Sequence, residues 1–249
     1  MKKSFKKKKK ISVCAIVPAR SGSRKVKNKN IIKILNHPIF AYSIGIAKKT
    51  SQIEKVIFSS DSKFYLKIAK KYKPDFLHKR SKKNSSHTAT DFDFIKEISK
   101  YLKYKFNYKP DLFVLLRGNC PTRNVDQLNI AIKKFKRNMS NFSALRSVSR
   151  MSETSYKTFY IDKKKLRGAF KNRFDIESLN RPKEKFPETF SGNGYLDIIK
   201  QSSIEKNFVH GKKVMPFINR DICVDIDYPD DVIYAKYVLT KFKYFKLKS

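Results

Sequence analysis

Two aspartates near the carboxyl end, Asp225 and Asp227 in Ile222-Cys-Val-Asp-Ile-Asp227, stand two residues apart within an apolar run. Read as a final strand, this run points both carboxylates to one face, where they can address a single cation. Mg²⁺ suits such a pair, because it takes oxygen ligands, keeps several waters and binds substrate phosphates. The plain alternative is an exposed strand face, although the chain holds only 21 acids against 58 Lys and Arg. A second cluster is Pro18-Ala-Arg-Ser-Gly-Ser-Arg-Lys-Val-Lys-Asn-Lys-Asn30, a small-residue turn with two arginines and three lysines. Gly22 lets the backbone approach a ligand, Ser21 and Ser23 can donate to phosphate oxygens, and Arg20 and Lys29 supply positive charge. It is neither a P-loop nor a Gly-x-Gly-x-x-Gly turn, and a solvated basic loop is its alternative. The third cluster is Leu115-Leu-Arg-Gly-Asn-Cys-Pro-Thr-Arg123, where Arg117 and Arg123 leave a hydrophobic run and need an anionic partner or water.

These clusters need a scaffold, and the hydrophobic pattern supplies one. Ile11 to Val17, Val56 to Ser60 and Leu112 to Leu116 are short apolar runs of the kind buried on both faces of a sheet. Between and after them lie helical patterns at Phe40 to Lys48, Ser62 to Tyr72, Phe94 to Leu102 and Leu128 to Phe135. The alternation predicts an α/β fold, a mainly parallel twisted sheet flanked by helices. In such a sheet ligands bind at the carboxyl ends of the strands, where all three clusters fall. Asp61 and Asn124 suit the starts of the helices that follow them. Asp230 to Phe242 predicts a terminal helix with Val232, Ala235, Val238 and Leu239 on one face, Pro229 at its start and Asp230 and Asp231 in its first turn. From about 150 to 190 the periodicity fails, which predicts an inserted arm or lid rather than a second core. The expected organisation is a basic disordered tail over 1–10 and a single domain over 11–249.

The net charge of +37 admits a nucleic-acid or anionic-membrane binder, an enzyme for polyanions, or a uniform lysine bias. Seven lysines lie in the first ten residues, yet most of the surplus is spread along the rest, which favours the uniform bias and makes specific nucleic-acid binding unneeded. Cys14, Cys120 and Cys223 have no paired spacing, so no disulfide framework or zinc knuckle is indicated, and the usage fits a reducing cytoplasm. Lys6 to Lys10 followed by Ile11 to Ala19 imitates a secretory leader, but the apolar part is short and runs into the polar turn. No run reaches the ~18 apolar residues of a membrane span. His37, His78, His87 and His210 show no metal spacing, and no Ser/His/Asp constellation emerges.

The first turn, Ser59-Ser-Asp61, Arg80, Leu115 to Arg123, Gly192-Asn-Gly-Tyr195 and Val224-Asp-Ile-Asp227 occur in an order that resembles the acylneuraminate (CMP-sialic acid) cytidylyltransferases from about Ile11 to Leu239. That resemblance implies a Rossmann-like nucleotide-sugar transferase sheet with a small excursion for dimerisation. It also implies transfer of CMP from CTP to a 2-keto-3-deoxy sugar acid with loss of pyrophosphate, serving surface glycan synthesis, usually by homodimers. Carried over, Arg20, Ser23, Arg24, Lys29 and Asn30 would hold the triphosphate and Arg80 would lie by the cytosine. Asp225 and Asp227 would hold Mg²⁺, with Arg20, Lys29 and Asp225 serving the chemistry. Arg117, Arg123, Arg181 and Asn193 fall where the family meets the sugar or the partner subunit. A nucleic-acid binder and an Asp-x-Asp glycosyltransferase are the competing readings.

Overall fold

The computed structural model describes residues 10–23, 25–170 and 176–247. Arg24 and most of the lysine tail lie outside the described residues; Lys10 is described and sits 3.1 Å from Glu54. Seven strands form one sheet: β1 (Val13–Pro18), β2 (Lys55–Ser60), β3 (Phe76–Lys79), β4 (Leu112–Leu115), β5 (Ala144–Arg150), β6 (Phe190–Lys200) and β7 (Val214–Ile218). Their spatial order is β7-β5-β6-β4-β1-β2-β3. Every pairing is parallel except those of β6, which runs antiparallel to both β4 and β5. The expected α/β architecture is therefore present, with one reversed strand that the sequence reading did not anticipate.

Alternation along the strands builds the three layers. Val13, Ala15 and Val17 of β1 face α1 (Ile39–Lys49), α2 (Lys63–Lys70) and α4 (Val125–Asn138), sharing a cluster with Phe40, Tyr65 and Ile132. Cys14 and Ile16 face the other way, toward α3 (Asp91–Phe106) and the short α5 (Gln201–Glu205), where Ile98, Leu102 and Ile204 cover them. Period-two side chains thus fill both sides of the sheet, which is why these strands read as continuous apolar runs. No helix among the described residues is long and apolar enough to cross a membrane.

Two local expectations change. The run Ile222 to Asp227 is extended but joins no sheet, because its amides are taken by other groups: Ile222 N–H donates to the Tyr244 hydroxyl, Val224 N–H to Thr122 Oγ1 and Ile226 N–H to the Asn119 carbonyl. Its alternation survives all the same. Val224 and Ile226 are buried against Ala235, Val238 and Leu239 of α6 (Pro229–Lys241), worth about 1.5–3 kcal/mol each, so Asp225 is turned outward. Asp61 does not cap α2; Ser62 does, and Asp61 instead accepts from Ser21 N–H at 2.8 Å and Ser21 Oγ at 2.7 Å. Asn124 caps α4 as expected. The stretch over 150–190 is an excursion, with a hairpin of Phe159–Asp162 and Lys165–Gly168 and short 3₁₀ turns.

Candidate active site

A cleft of about 490 Å³ opens at the carboxyl ends of β1 and β4, a size suited to a nucleotide or small ligand. Its floor depends on Gly118, where a Cβ would lie 2.9 Å from the Pro18 carbonyl, so the loops after β4 and β1 can touch only if position 118 has no side chain. Arg20, Ser23, Lys29, Asn30, Arg80, Arg117 and Asp225, all proposed from sequence, line this cleft.

The loop after β1 is built on short hydrogen bonds. Besides the Ser21–Asp61 pair, buried Asn30 donates through Nδ2 to the Arg20 carbonyl at 2.9 Å, so Asn30 shapes the turn as well as lining it. Arg20 extends into the cleft with one loose contact, Nη1 to the Ser86 carbonyl at 3.5 Å. A Cβ on Gly22 would meet nothing within 4 Å, and Gly22 itself is not among the residues lining the cleft. Lys29 crosses the cleft mouth and donates to Asp227 Oδ1 at 2.7 Å, joining residues 198 apart in sequence.

Asp225 and Asp227 occupy different electrostatic settings. Lys29, with help from Lys25, holds the Asp227 carboxyl below the usual range. The cleft walls strip water from Asp225 and the Asp227 carboxylate repels its charge; together these raise its pKa against the pull of Lys29, Arg117 and Arg123. Asn119 Nδ2 donates to Asp225 Oδ1. Among the described residues no group of three or more His, Cys, Asp or Glu side chains converges. A cation here would have two carboxylates as its protein ligands and would complete its shell from phosphate and water, the donor set Mg²⁺ favours. The Lys29 ammonium already marks the place as one that takes positive charge.

Arg80 is buried with its guanidinium 4.3 Å above the Phe94 ring, and burial lowers its pKa to about 10, leaving it protonated at neutral pH. Phe94 and Arg80 form a flat apolar and cationic wall able to pack against an aromatic base. Arg117 is clamped by Asp91, Nη2 to Oδ2 at 2.6 Å and Nη1 to Oδ1 at 3.4 Å, and this pairing outweighs the effect of burial to raise its pKa.

Three of the sugar or partner contacts expected from sequence do not line the cleft in this chain. Arg123 is fully buried; it donates to the carbonyls of Tyr195 at 2.6 Å, Arg117 at 3.1 Å, Gly194 at 3.1 Å and Cys120, and to Ser43 Oγ at 2.8 Å. Its donors are consumed by the fold. Asn193 accepts from Ser147 Oγ at 2.6 Å and donates to Ser149 Oγ at 2.9 Å and Asn219 Oδ1 at 2.8 Å, so its amide fixes the irregularity in β6 rather than facing the cleft. Arg181 is exposed at the end of a 3₁₀ turn in the excursion, and is not among the residues lining the cleft. Asp227 faces Lys25 and Lys29 at the cleft mouth rather than lining the interior.

The cleft also contains residues the sequence reading passed over: Asn84, Ser86, His87 and Ala89 from the connection between β3 and α3, Asp91 at the start of α3, and Arg146 from β5. One signal pointed to the first group. Thr90 to Asp93 forms a capping box, Asp93 N–H to Thr90 Oγ1 at 3.4 Å and Thr90 N–H to Asp93 Oδ2 at 2.8 Å, which marks a helix start directly after a strand-end loop. Cys120 and Cys223, which show no paired spacing in sequence, lie with their Sγ atoms 3.3 Å apart.

With this geometry in hand, similarity to known proteins is specific. A family model described as cytidylyltransferase matches residues 14–219. An N-acylneuraminate cytidylyltransferase of Escherichia coli O18:K1:H7 is 34% identical over 144 residues, covering 57% of this chain and 32% of that protein. The chain thus spans about a third of the length of that relative. The pseudaminic acid cytidylyltransferase of Campylobacter jejuni serotype O:2 is 26% identical over 224 residues, covering 89% of this chain and 93% of that one. Among solved structures, a CMP:2-keto-3-deoxy-manno-octonic acid synthetase complexed with CTP superposes with a TM-score of 0.67 at 11% identity, covering 92% of this chain and 99% of that chain, which shows a shared fold.

Proposed function

Because the chain belongs to the cytidylyltransferase family, we propose that its cleft joins CTP to a 2-keto-3-deoxy sugar acid and releases pyrophosphate. The observation that carries this reading is the convergence of the basic first turn and the twin acids, seen in the 2.7 Å contact of Lys29 with Asp227. The anomeric hydroxyl attacks the α-phosphorus in line, the bond from that phosphorus to the β-phosphate oxygen breaks, and pyrophosphate departs with the negative charge. Arg20 and Lys29 receive that charge, as preorganised cations in a partly closed site. Arg80 and Phe94 hold the base end, supported by their 4.3 Å stacking. Asp225, the one of the two acids that lines the cleft, is the candidate to accept the proton of the attacking hydroxyl. Mg²⁺ held by Asp225 and Asp227 would neutralise phosphate charge when bound.

The same reading takes the protein as a cytoplasmic homodimer. The cysteine usage supports the compartment, and the excursion hairpin supports the pairing, since it leaves Phe159, Ile161 and Leu166 exposed. Sedimentation at micromolar concentration should give a dimer, and an Ile161→Glu, Leu166→Glu double variant a monomer.

Pyrophosphate release should be measured with each of the four ribonucleoside triphosphates against N-acetylneuraminic, pseudaminic, N,N'-diacetyllegionaminic and 2-keto-3-deoxy-manno-octonic acids. CTP with one of these acids should support turnover. Arg20→Ala should then lower kcat/KM about a hundredfold, ~3 kcal/mol of transition-state stabilisation. Turnover with no combination, or an Arg20→Ala variant within threefold of wild type, overturns the reading.

A further inference from the structure

Beyond the phosphate and base contacts, the cleft has a second end, formed where β5 and β6 meet the loop after β4. Three arginines come near it, and they are not equivalent. Arg123 is sealed in the fold, with its donors on backbone carbonyls and a serine hydroxyl. Arg117 has its fork filled by Asp91. Arg146 remains: its side chain is 46% exposed, it lines the cleft, and its only close charge among the described residues is Asp197 Oδ1, at 3.7 Å from Nε, beyond hydrogen-bond distance. That one carboxylate is nearly buried and shared, with Arg117 Nη2 at 3.8 Å and His210 Nε2 at 3.6 Å. Two guanidinium groups thus face one acid that both contact only loosely, and Arg146 is the one whose planar set of donors is open to a ligand.

Gly192 of β6 makes room for its guanidinium. A Cβ on Gly192 would lie 3.3 Å from Arg146 Nε and 3.4 Å from Nη2, so the guanidinium lies along the strand backbone there. A Cβ on Gly194, whose φ is +66°, would lie 3.4 Å from Asp225 Oδ2. Arg146 and Asp225 therefore sit over positions two residues apart in β6, at the irregular part of that strand. In a 2-keto-3-deoxy sugar acid the carboxylate and the anomeric hydroxyl are attached to the same carbon. An acceptor whose hydroxyl lies beside Asp225 brings its carboxylate toward Arg146, and a guanidinium binds a carboxylate through two parallel hydrogen bonds.

We propose that Arg146 receives the carboxylate of the acceptor and thereby restricts the enzyme to sugar acids. This rests on the cytidylyltransferase reading above and names a specificity-determining residue within it. A neutral acceptor would forgo this charge-assisted contact, so the enzyme would favour acids over neutral sugars.

The test uses the full chain, CTP and whichever of the four sugar acids wild type turns over. Arg146→Gln should raise KM for the acid about tenfold or more, the loss of a charge-assisted bidentate contact, with KM for CTP within twofold of wild type. Arg146→Lys, which keeps charge without the fork, should fall between them. The C1 carboxamide of the same acid separates charge from packing: wild type should prefer acid to amide by about tenfold, and Arg146→Gln should use the two alike. Thermal melting of each variant confirms that the fold is intact. An acid KM within twofold of wild type in Arg146→Gln, or an equal rise in KM for CTP, sinks the inference while leaving the cytidylyltransferase reading standing. Absence of turnover by wild type with every acid sinks both.

Discussion

Replacing Asp225 by Asn should lower CTP-dependent pyrophosphate release about a thousandfold, the upper end of what losing one group that serves the transition state costs. The same change should leave the melting temperature at or above that of wild type. The two effects have one origin. Desolvation and the Asp227 carboxylate raise the Asp225 pKa in the folded chain. A carboxyl whose pKa rises on folding holds its proton more tightly folded than unfolded. Its favourable contribution is therefore full below the unfolded pKa and disappears as the pH climbs through the folded value. At pH 7.5 the ionised group is thus a burden on the fold that an amide of the same shape removes. Activity and calorimetric melting of the same preparation, without added divalent cation in the melt, check both halves. A variant that keeps more than a tenth of wild-type activity contradicts the catalytic placement, and one that melts several degrees lower contradicts the electrostatic account.

Arg123→Leu should fail in the opposite way, through stability. Leucine replaces the stem but none of the donors, leaving the carbonyls of residues 120, 194 and 195 without this partner, while that of Arg117 keeps Ser43 Oγ and the Cys120 N–H. Each buried group left unpaired costs about 1–3 kcal/mol, so even the low end sums to about 3 kcal/mol. For a domain of this size that lowers Tm by roughly 6–12 °C. Because the loop after β4 and the turn at Gly194 are tied to the same side chain, both walls of the cleft should loosen together. Hydrogen exchange at Arg117–Thr122 and Gly194–Tyr195 should accelerate in the variant. A Tm within 2 °C of wild type, accompanied by a selective rise in KM for the sugar acid, would instead return Arg123 to the substrate.

These two residues show how far the sequence could be read. Strands β1, β2 and β4 were legible because both of their faces are covered, which leaves unbroken apolar runs, and helices α1 to α4 and α6 through their apolar stripes. The reversed strand was hidden. Its first half, Phe190-Ser-Gly-Asn-Gly194, is polar and glycine-rich because it borders the cleft, and only Tyr195 to Ile199 carries the buried pattern. Strand β7 was hidden by Pro216, which an edge strand tolerates. Ile222 to Asp227 had a strand's alternation without a strand's partners. In the site, Arg20, Lys29 and Asp225 were legible as unusual residue types following apolar runs. Arg117 and Arg123 looked alike in sequence and are opposites in the fold, since six residues of irregular chain leave side-chain direction undetermined. Arg146 carried no signal, being one basic residue in a chain with 58.

The reversal of β6 reaches further than the sheet. Running against its neighbours, this strand enters from the edge where the parallel strands finish, and so delivers Gly192 and Gly194 to the cleft straight out of the excursion before it. The residues proposed for the nucleotide, Arg20, Lys29 and Arg80, are anchored in the amino-terminal half, whereas the proposed acceptor end is framed by β5 and by a strand that leads straight out of the excursion. On that reading, a change in the excursion would reach the acceptor end before it reached the residues proposed for the nucleotide.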